Sequence, residues 1–262
     1  MTTVTHRLVA FNTAQESENK IHDNEVAQRF GFTGGLVPGV DVYAYLSWGP
    51  VQQWGRQFLE SGTMTARFGR PTYDGDLVSV EWDGETLALR NPGGDVVSEG
   101  RAGLEAVAGP DLAEYPRAEK PPREARPPAA PQSLPVGTVL GTWSAHFHAD
   151  KHRQYLDDVR ETLPIYRELG VAHPGWVART GNWILSENVV LGPWMHVGST
   201  ITNLALIPDG ALVETRGTVA AEYEKKGHRF CELDLLVTAN EVPAALIRHT
   251  AIYRPRQVAE LG

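Results

Sequence analysis

Residues 16–40 read Glu16-Ser17-Glu18-Asn19-Lys20-Ile21-His22-Asp23-Asn24-Glu25-Val26-Ala27-Gln28-Arg29-Phe30-Gly31-Phe32-Thr33-Gly34-Gly35-Leu36-Val37-Pro38-Gly39-Val40. A polar loop carries Ser17, Asn19 and His22. A short helical pattern follows from Asp23 to Phe30, with Val26, Ala27 and Phe30 at core-facing spacing. Gly31, Gly34, Gly35 and Gly39 then punctuate the chain, with Pro38 beside the last. An apolar run begins at Val40. This order can place one imidazole beside free amide N–H groups at the start of a buried helix. Such a pairing serves proton transfer next to a carbonyl whose oxygen gains charge.

The run from Val40 to Leu59 is apolar on nearly all sides, with Tyr43, Tyr45, Leu46, Trp48, Val51, Trp54 and Phe58. That pattern predicts a largely buried helix. Pro38 and Gly39 open it, and Pro50 is expected to kink it or end its first segment. Upstream, residues 6–12 read as a strand. Downstream, Thr63–Phe68, Leu77–Trp82, Thr86–Leu89 and Val96–Val107 read as strands, with a hairpin signal at Asp83-Gly84.

Residues 109–137 hold eight prolines among Ala, Glu and Arg and read as a stiff, extended linker. The order of elements then repeats. Thr142–His148 reads as a strand, Lys151–Glu161 as a helix, and Trp176 to about Val190 as a long apolar helix. Met195–Ile207, Ala211–Tyr223, His228–Thr238 and Ala244–Tyr253 read as strands. Pro-Gly precedes the apolar helix in both halves, at Pro38-Gly39 and Pro174-Gly175, which points to an internal duplication. The expected class is α+β: two long helices, each wrapped by an antiparallel sheet. The expected units are residues 1–108, a linker at 109–137, and residues 138–262.

The 262 residues are 42% hydrophobic and 21% charged, an ordinary globular composition. A formal net charge of −8 argues against a general nucleic-acid binder. Cys231 is the only cysteine, so neither an intramolecular disulfide nor a cysteine-built metal site is possible. The first residues, Met-Thr-Thr-Val-Thr-His-Arg, show no apolar signal core, and no stretch approaches a membrane span. The expected location is cytoplasmic.

Asn19-Lys20-Ile21-His22, with Phe30-Gly31-Phe32 and Gly34-Gly35-Leu36-Val37-Pro38-Gly39, resembles the hydratase motif of MaoC-like, (R)-specific enoyl-thioester hydratases and dehydratases. That motif reads Asp-x-Asn-Pro-x-His, then a helix, then a glycine-containing turn into the central helix. The two linked halves resemble the double-hotdog members. The resemblance implies His22 as acid/base and Asn19 as an orienting amide. It also implies backbone N–H groups near Gly39 polarising a thioester carbonyl, and no cofactor or metal. Ser17 stands where the motif has its Asp, Lys20 where it has Pro, and Pro38 where it has His. In the second half the histidine position holds Tyr166, which implies a non-catalytic partner that shapes the acyl tunnel.

Ser17, Gly35, Pro38, Gly39, Arg67 and Arg70 are the candidate substrate contacts, the two arginines as partners for the phosphates of coenzyme A or a carrier protein. Asp41 and Glu187 lie on the two central helices. A carboxylate in an apolar helix needs a reason, so a hotdog thioesterase using either residue is a second reading. A non-catalytic hotdog that binds a ligand or a second hotdog chain is a third. His146, His148 and His152 lack a carboxylate pattern that would complete a metal site. Either a monomer or a homodimer of double hotdogs fits the duplication.

Overall fold

The computed structural model describes residues 3–259. The first half runs β1 (Val4–Val9), α1 (Asn24–Arg29), α2 (Gly39–Trp54), α3 (Arg56–Ser61), β2 (Gly62–Phe68), β3 (Leu77–Trp82), β4 (Thr86–Arg90) and β5 (Val96–Leu104). The second runs β6 (Trp143–His146), α4 (Ala149–Asp158), α5 (Ile165–Leu169), α6 (Pro174–Asn188), β7 (Met195–Asn203), β8 (Leu212–Lys225), β9 (His228–Ala239) and β10 (Val242–Arg254). A short helix α7 (Arg256–Ala259) follows.

All the strands form one antiparallel sheet in the order β1-β3-β4-β5-β2-β7-β10-β9-β8-β6. From either edge the pattern is the same: β1-β3-β4-β5-β2 inward from one side, β6-β8-β9-β10-β7 from the other. The halves meet at β2 and β7, where Thr63 faces Thr202 and Thr65 faces Thr200. Their hydroxyls bond across the seam at 3.0 and 2.9 Å.

The sheet curls round α2 and α6. Every residue of α2 from Val40 to Val51 is buried. Such a helix has no face for water, so sheet must cover it on one side and its twin on the other. Gly175 permits the close approach: a Cβ there would sit 2.5 Å from the Cβ of Ala44. Gly49 does the same toward the sheet, 2.7 Å from the Cβ of Trp82.

The expected break at Pro50 falls elsewhere. Pro50 sits inside α2, and the helix ends at Gly55, whose φ of +54° an L side chain resists. Proline removes one hydrogen bond, but packing on all sides of this helix holds its course. Residues 109–137 hold two short 3-10 turns, Leu112–Glu114 and Arg123–Ala125. They are tied down by Val190 N–H to Pro127 O at 2.8 Å, by Arg117 to Glu214 at 2.9 Å, and by Arg123 to Glu18. No helix among the described residues is long and apolar enough to cross a membrane.

Four imidazoles are buried in the second half, those of His152, His173, His196 and His249. His152 and His249 are each pushed down to about 3, chiefly by burial. Unfolding frees both to their ordinary value of 6.5, so the unfolded chain binds more protons just below that pH. Their contribution is therefore full above pH 6.5 and is lost as pH falls toward 3. Equilibrium urea unfolding should show stability dropping between pH 6.5 and 5, by up to about 1.4 kcal/mol per pH unit for each group. A flat profile across that window contradicts the burial of these rings as neutral species.

Candidate active site

The loop after β1 is built to hold His22. Asn19 caps a 3-10 turn, Lys20–His22, and Asp23 caps α1 by accepting from Val26 N–H at 3.0 Å. Gly35 passes against the backbone of His22 so closely that a Cβ there would collide with its carbonyl. This brings the carbonyl of Leu36 to 2.7 Å from His22 Nδ1. A carbonyl only accepts, so Nδ1 carries the proton and Nε2 keeps its lone pair. Asn19 Nδ2 lies 3.3 Å from that Nε2. The same amide grips the backbone of Trp194, donating to its carbonyl at 2.9 Å and accepting from its N–H at 3.2 Å. A side chain of the first half is thereby locked to the start of β7 in the second.

Burial lowers the pKa of His22 from its ordinary value; the Leu36 hydrogen bond and the charge of Asp41 oppose this but do not cancel it. The ring is a neutral base at pH 7. Beside it α2 begins. The N–H groups of Asp41 and Val42 both bond Pro38 O, at 2.9 and 3.1 Å. Those of Gly39 and Val40 find no acceptor among the described residues. Two free donors at a helix N-terminus favour a developing negative charge.

Two cavities meet at His22. One of about 490 Å³ holds Ser17, Asn19 and Pro38, with Val40, Arg126 and Asn182. The other, of about 280 Å³, is largely apolar and holds Gly39, Phe68, Val42 and Met195, with Arg70 at its rim. The loop, the helix start and β7 thus converge on one imidazole.

The remaining candidates fall as follows. Ser17 donates its hydroxyl to Asn19 O at 3.1 Å, a local turn contact. Gly35 gives its N–H to Asn24 Oδ1 at 2.8 Å, so it braces the loop and is not a free donor. Arg67 projects from an exposed position on β2 and lines neither cavity. Arg70 pairs with Asp95 at 3.3 Å. Glu187 pairs with Lys120 from the 109–137 segment and also lines neither cavity.

Asp41 is fully buried, and both its oxygens are engaged. Arg179 Nη2 donates to one at 2.8 Å and Thr13 Oγ1 to the other at 2.6 Å. It is a helix-to-helix tie between α2 and α6, not a free nucleophile. In the second half Tyr166 is buried, and His173 pairs with Glu161 at 2.9 Å in a closed interior. His146 is exposed, with Nδ1 3.3 Å from Gly210 O.

Two participants carry no motif signal: Trp194, which acts through backbone, and Arg126, which comes from the proline-rich segment; Leu36, inside the motif, also acts through its backbone. Arg126 reaches the larger cavity while donating to Arg123 O at 3.0 Å and Ser186 O at 2.5 Å. His196 is a polar residue at a buried, inward position of β7.

No protein-family model matches the chain, and no curated protein matches it. Solved structures do. A protein from Chloroflexus aurantiacus J-10-fl described as a MaoC domain dehydratase superposes with TM-score 0.65 at 13% identity, over 97% of this chain and 95% of its own. A conserved hypothetical protein from Mycobacterium tuberculosis with a double hotdog fold gives TM-score 0.63 at 14% identity, over 96% of each chain. A protein from Novosphingobium aromaticivorans DSM 12444 described as a thioesterase gives TM-score 0.50 at 9% identity, over 84% of this chain and 89% of its own. The fold is the double hotdog, shared with MaoC-like dehydratases.

The Asp41–Arg179 tie makes a direct test of packing. Arg179→Ala strands a buried carboxylate and should cost about 3–5 kcal/mol of stability in urea unfolding. The D41L/R179M double variant, which removes both charges, should recover most of that loss. Equal losses for the single and the double variant contradict this account.

Proposed function

We propose that the protein catalyses the reversible addition of water to a 2-enoyl thioester, giving the 3-hydroxyacyl thioester, in the cleft around His22. One observation carries this reading. His22 holds a neutral ring where the two cavities meet, its Nε2 an acceptor 3.3 Å from the Asn19 amide, beside the free N–H groups at the start of α2. The fold it shares with MaoC-like dehydratases supports it.

The chemistry follows from the placement. The Gly39 and Val40 amides receive the thioester oxygen and draw electron density from the double bond. Water bonds to C3 while the π pair moves to C2 and on to the thioester oxygen. A proton leaves the water for His22 Nε2, and His22 returns it to C2 as the enolate collapses. The net change is H and OH across the double bond, with His22 restored to its neutral form. No redox step occurs. The apolar cavity suits an acyl chain. The larger one, with Arg126 in its wall, suits the pantetheine arm of coenzyme A or of an acyl carrier protein. Residues 138–262 serve as a non-catalytic partner, since Tyr166 occupies the histidine position. The thioesterase reading needs a free helix carboxylate, and Asp41 and Glu187 are both already paired.

The test follows loss of enoyl-thioester absorbance and product mass on short, medium and aromatic substrates. His22→Ala should lower the hydration rate by about 10²–10⁴-fold. Because burial lowers the pKa of His22, wild-type kcat/KM should fall with acid only below pH 6.5, as the ring gains its proton. Release of free thiol, unaffected by the substitution, contradicts the proposal.

A further inference from the structure

Helix α6 keeps one face partly open. Trp176, Arg179, Trp183 and Ser186 follow at three- and four-residue steps, so they share that face, and each is only partly buried. The larger cavity beside His22 runs along it past Arg179, Trp183 and Ser186. A further cavity, of about 200 Å³, runs along it past Trp176, Arg179 and Trp183. Two wall residues are common to both, so the cavities adjoin along α6. The further cavity is walled by rings. Trp176 and Trp183 stand T-shaped with centroids 5.8 Å apart, and Phe147 and Tyr155 close the inside. His146, His148 and Lys151 form its exposed rim.

The shared wall stands beside the start of α2. Asp41, two residues past Gly39, accepts from Arg179 Nη2 at 2.8 Å. Asp41 and Thr13 engage Nε and Nη2 of Arg179, while Nη1 bonds to nothing among the described residues, and the side chain is 21% exposed. A pantetheine arm matches an extended peptide of about four residues and spans about 15 Å. Trp176 lies one turn of α6 back from Arg179, a rise of about 5 Å. An arm that starts at the Gly39 and Val40 amides therefore has the length to enter the ring-walled space. What lies beyond the arm differs between carriers. In coenzyme A it is a purine with phosphates; in an acyl carrier protein it is a folded, acidic surface. Ring walls with a cationic rim suit the first. The exposed edge of the larger cavity carries Glu16 and Glu18, which oppose the second. Glu18 is paired with Arg123, and Glu16 makes no ion pair among the described residues.

We propose that the substrate is carried by coenzyme A, with its adenine against Trp176 and Trp183 and its phosphates facing Lys151, His146 and His148. The pantetheine arm runs along the open face of α6, past the spare Nη1 of Arg179. The acyl chain goes the other way, into the apolar cavity. The half that lacks the motif histidine thus holds the nucleotide handle of the substrate, and the half that has it holds the reacting end. The position of the thioester rests on the hydratase reading of the cleft around His22.

The experiment compares wild type with Trp176→Ala and Lys151→Glu, each checked for folding by thermal melt. It measures hydration of crotonyl-CoA, crotonyl-pantetheine and crotonyl-loaded acyl carrier protein. Calorimetry follows binding of adenosine 3′,5′-bisphosphate, which has the nucleotide end and no thioester. Wild type should favour crotonyl-CoA over crotonyl-pantetheine in kcat/KM by about 10²-fold. Each substitution should cut that ratio about tenfold and weaken the bisphosphate by a similar factor. A wild-type ratio within about threefold, or a ratio that neither substitution moves, overturns the inference. So does a loaded carrier protein that outpaces crotonyl-CoA. If wild type hydrates none of the three, the hydratase reading fails and the bisphosphate decides the nucleotide site. Binding that Lys151→Glu weakens about tenfold upholds that site. No binding, or binding blind to the substitution, overturns it. Should Trp176→Ala not fold, Lys151→Glu, at an exposed position, carries both readouts.

Discussion

Helix α2 is apolar on nearly every side and α6 over much of its surface, and the rest of the molecule follows from hiding those surfaces. One curled sheet of five strands covers one flank of one helix. Two such units, joined at β2 and β7, cover both helices when the helices also cover each other. The contact is close because Gly175 meets Ala44, and it is fixed in register by Arg179 reaching Asp41. A buried ion pair is a weak source of net stability but a strong penalty when half-broken. It therefore selects one arrangement of the helices. The N-terminus of α2 is set by that arrangement, and with it the two amides that face the cleft.

The cleft is assembled from both halves, and hydrogen bonds to backbone do most of the aligning. Leu36 O selects the tautomer of His22, and Asn19 ties its loop to Trp194. Backbone partners are insensitive to side-chain identity, so the aim of the ring does not depend on which side chains stand at positions 36 and 194. The two halves share their framework and differ in what lies at the helix entry. The second unit retains the helix and strands that burial demands. At its own helix entry His173 pairs with Glu161, and Trp143 stacks on Trp183.

Much of this was legible in the sequence. Alternating segments and Asp83-Gly84 gave the strands and the β3–β4 hairpin, where Gly84 has a φ of +99°. Density of apolar residues gave the two central helices. The repeated Pro-Gly gave the duplication, and Asn19-x-x-His22 gave the loop. What was not legible depends on partners distant in the chain. Asp41 reads as an oddity until Arg179, on the other helix, arrives beside it. Gly55 outweighs Pro50 as a helix terminator only because packing supports the proline. Gly35 looks like an amide donor until Asn24 is seen to take its hydrogen. His196 is one polar residue in a strand, and its buried contacts with Ser199 and His249 appear only in three dimensions.

The central claim is that His22 moves a proton between water and C2 while the water oxygen bonds to C3. The most direct measurement is a single reaction on an enoyl thioester in heavy water, with the product read by NMR and mass spectrometry. The account requires one solvent deuterium at C2, a hydroxyl at C3 and an intact thioester, all dependent on His22. A product with free thiol, or substrate returned without deuterium or hydroxyl, contradicts it.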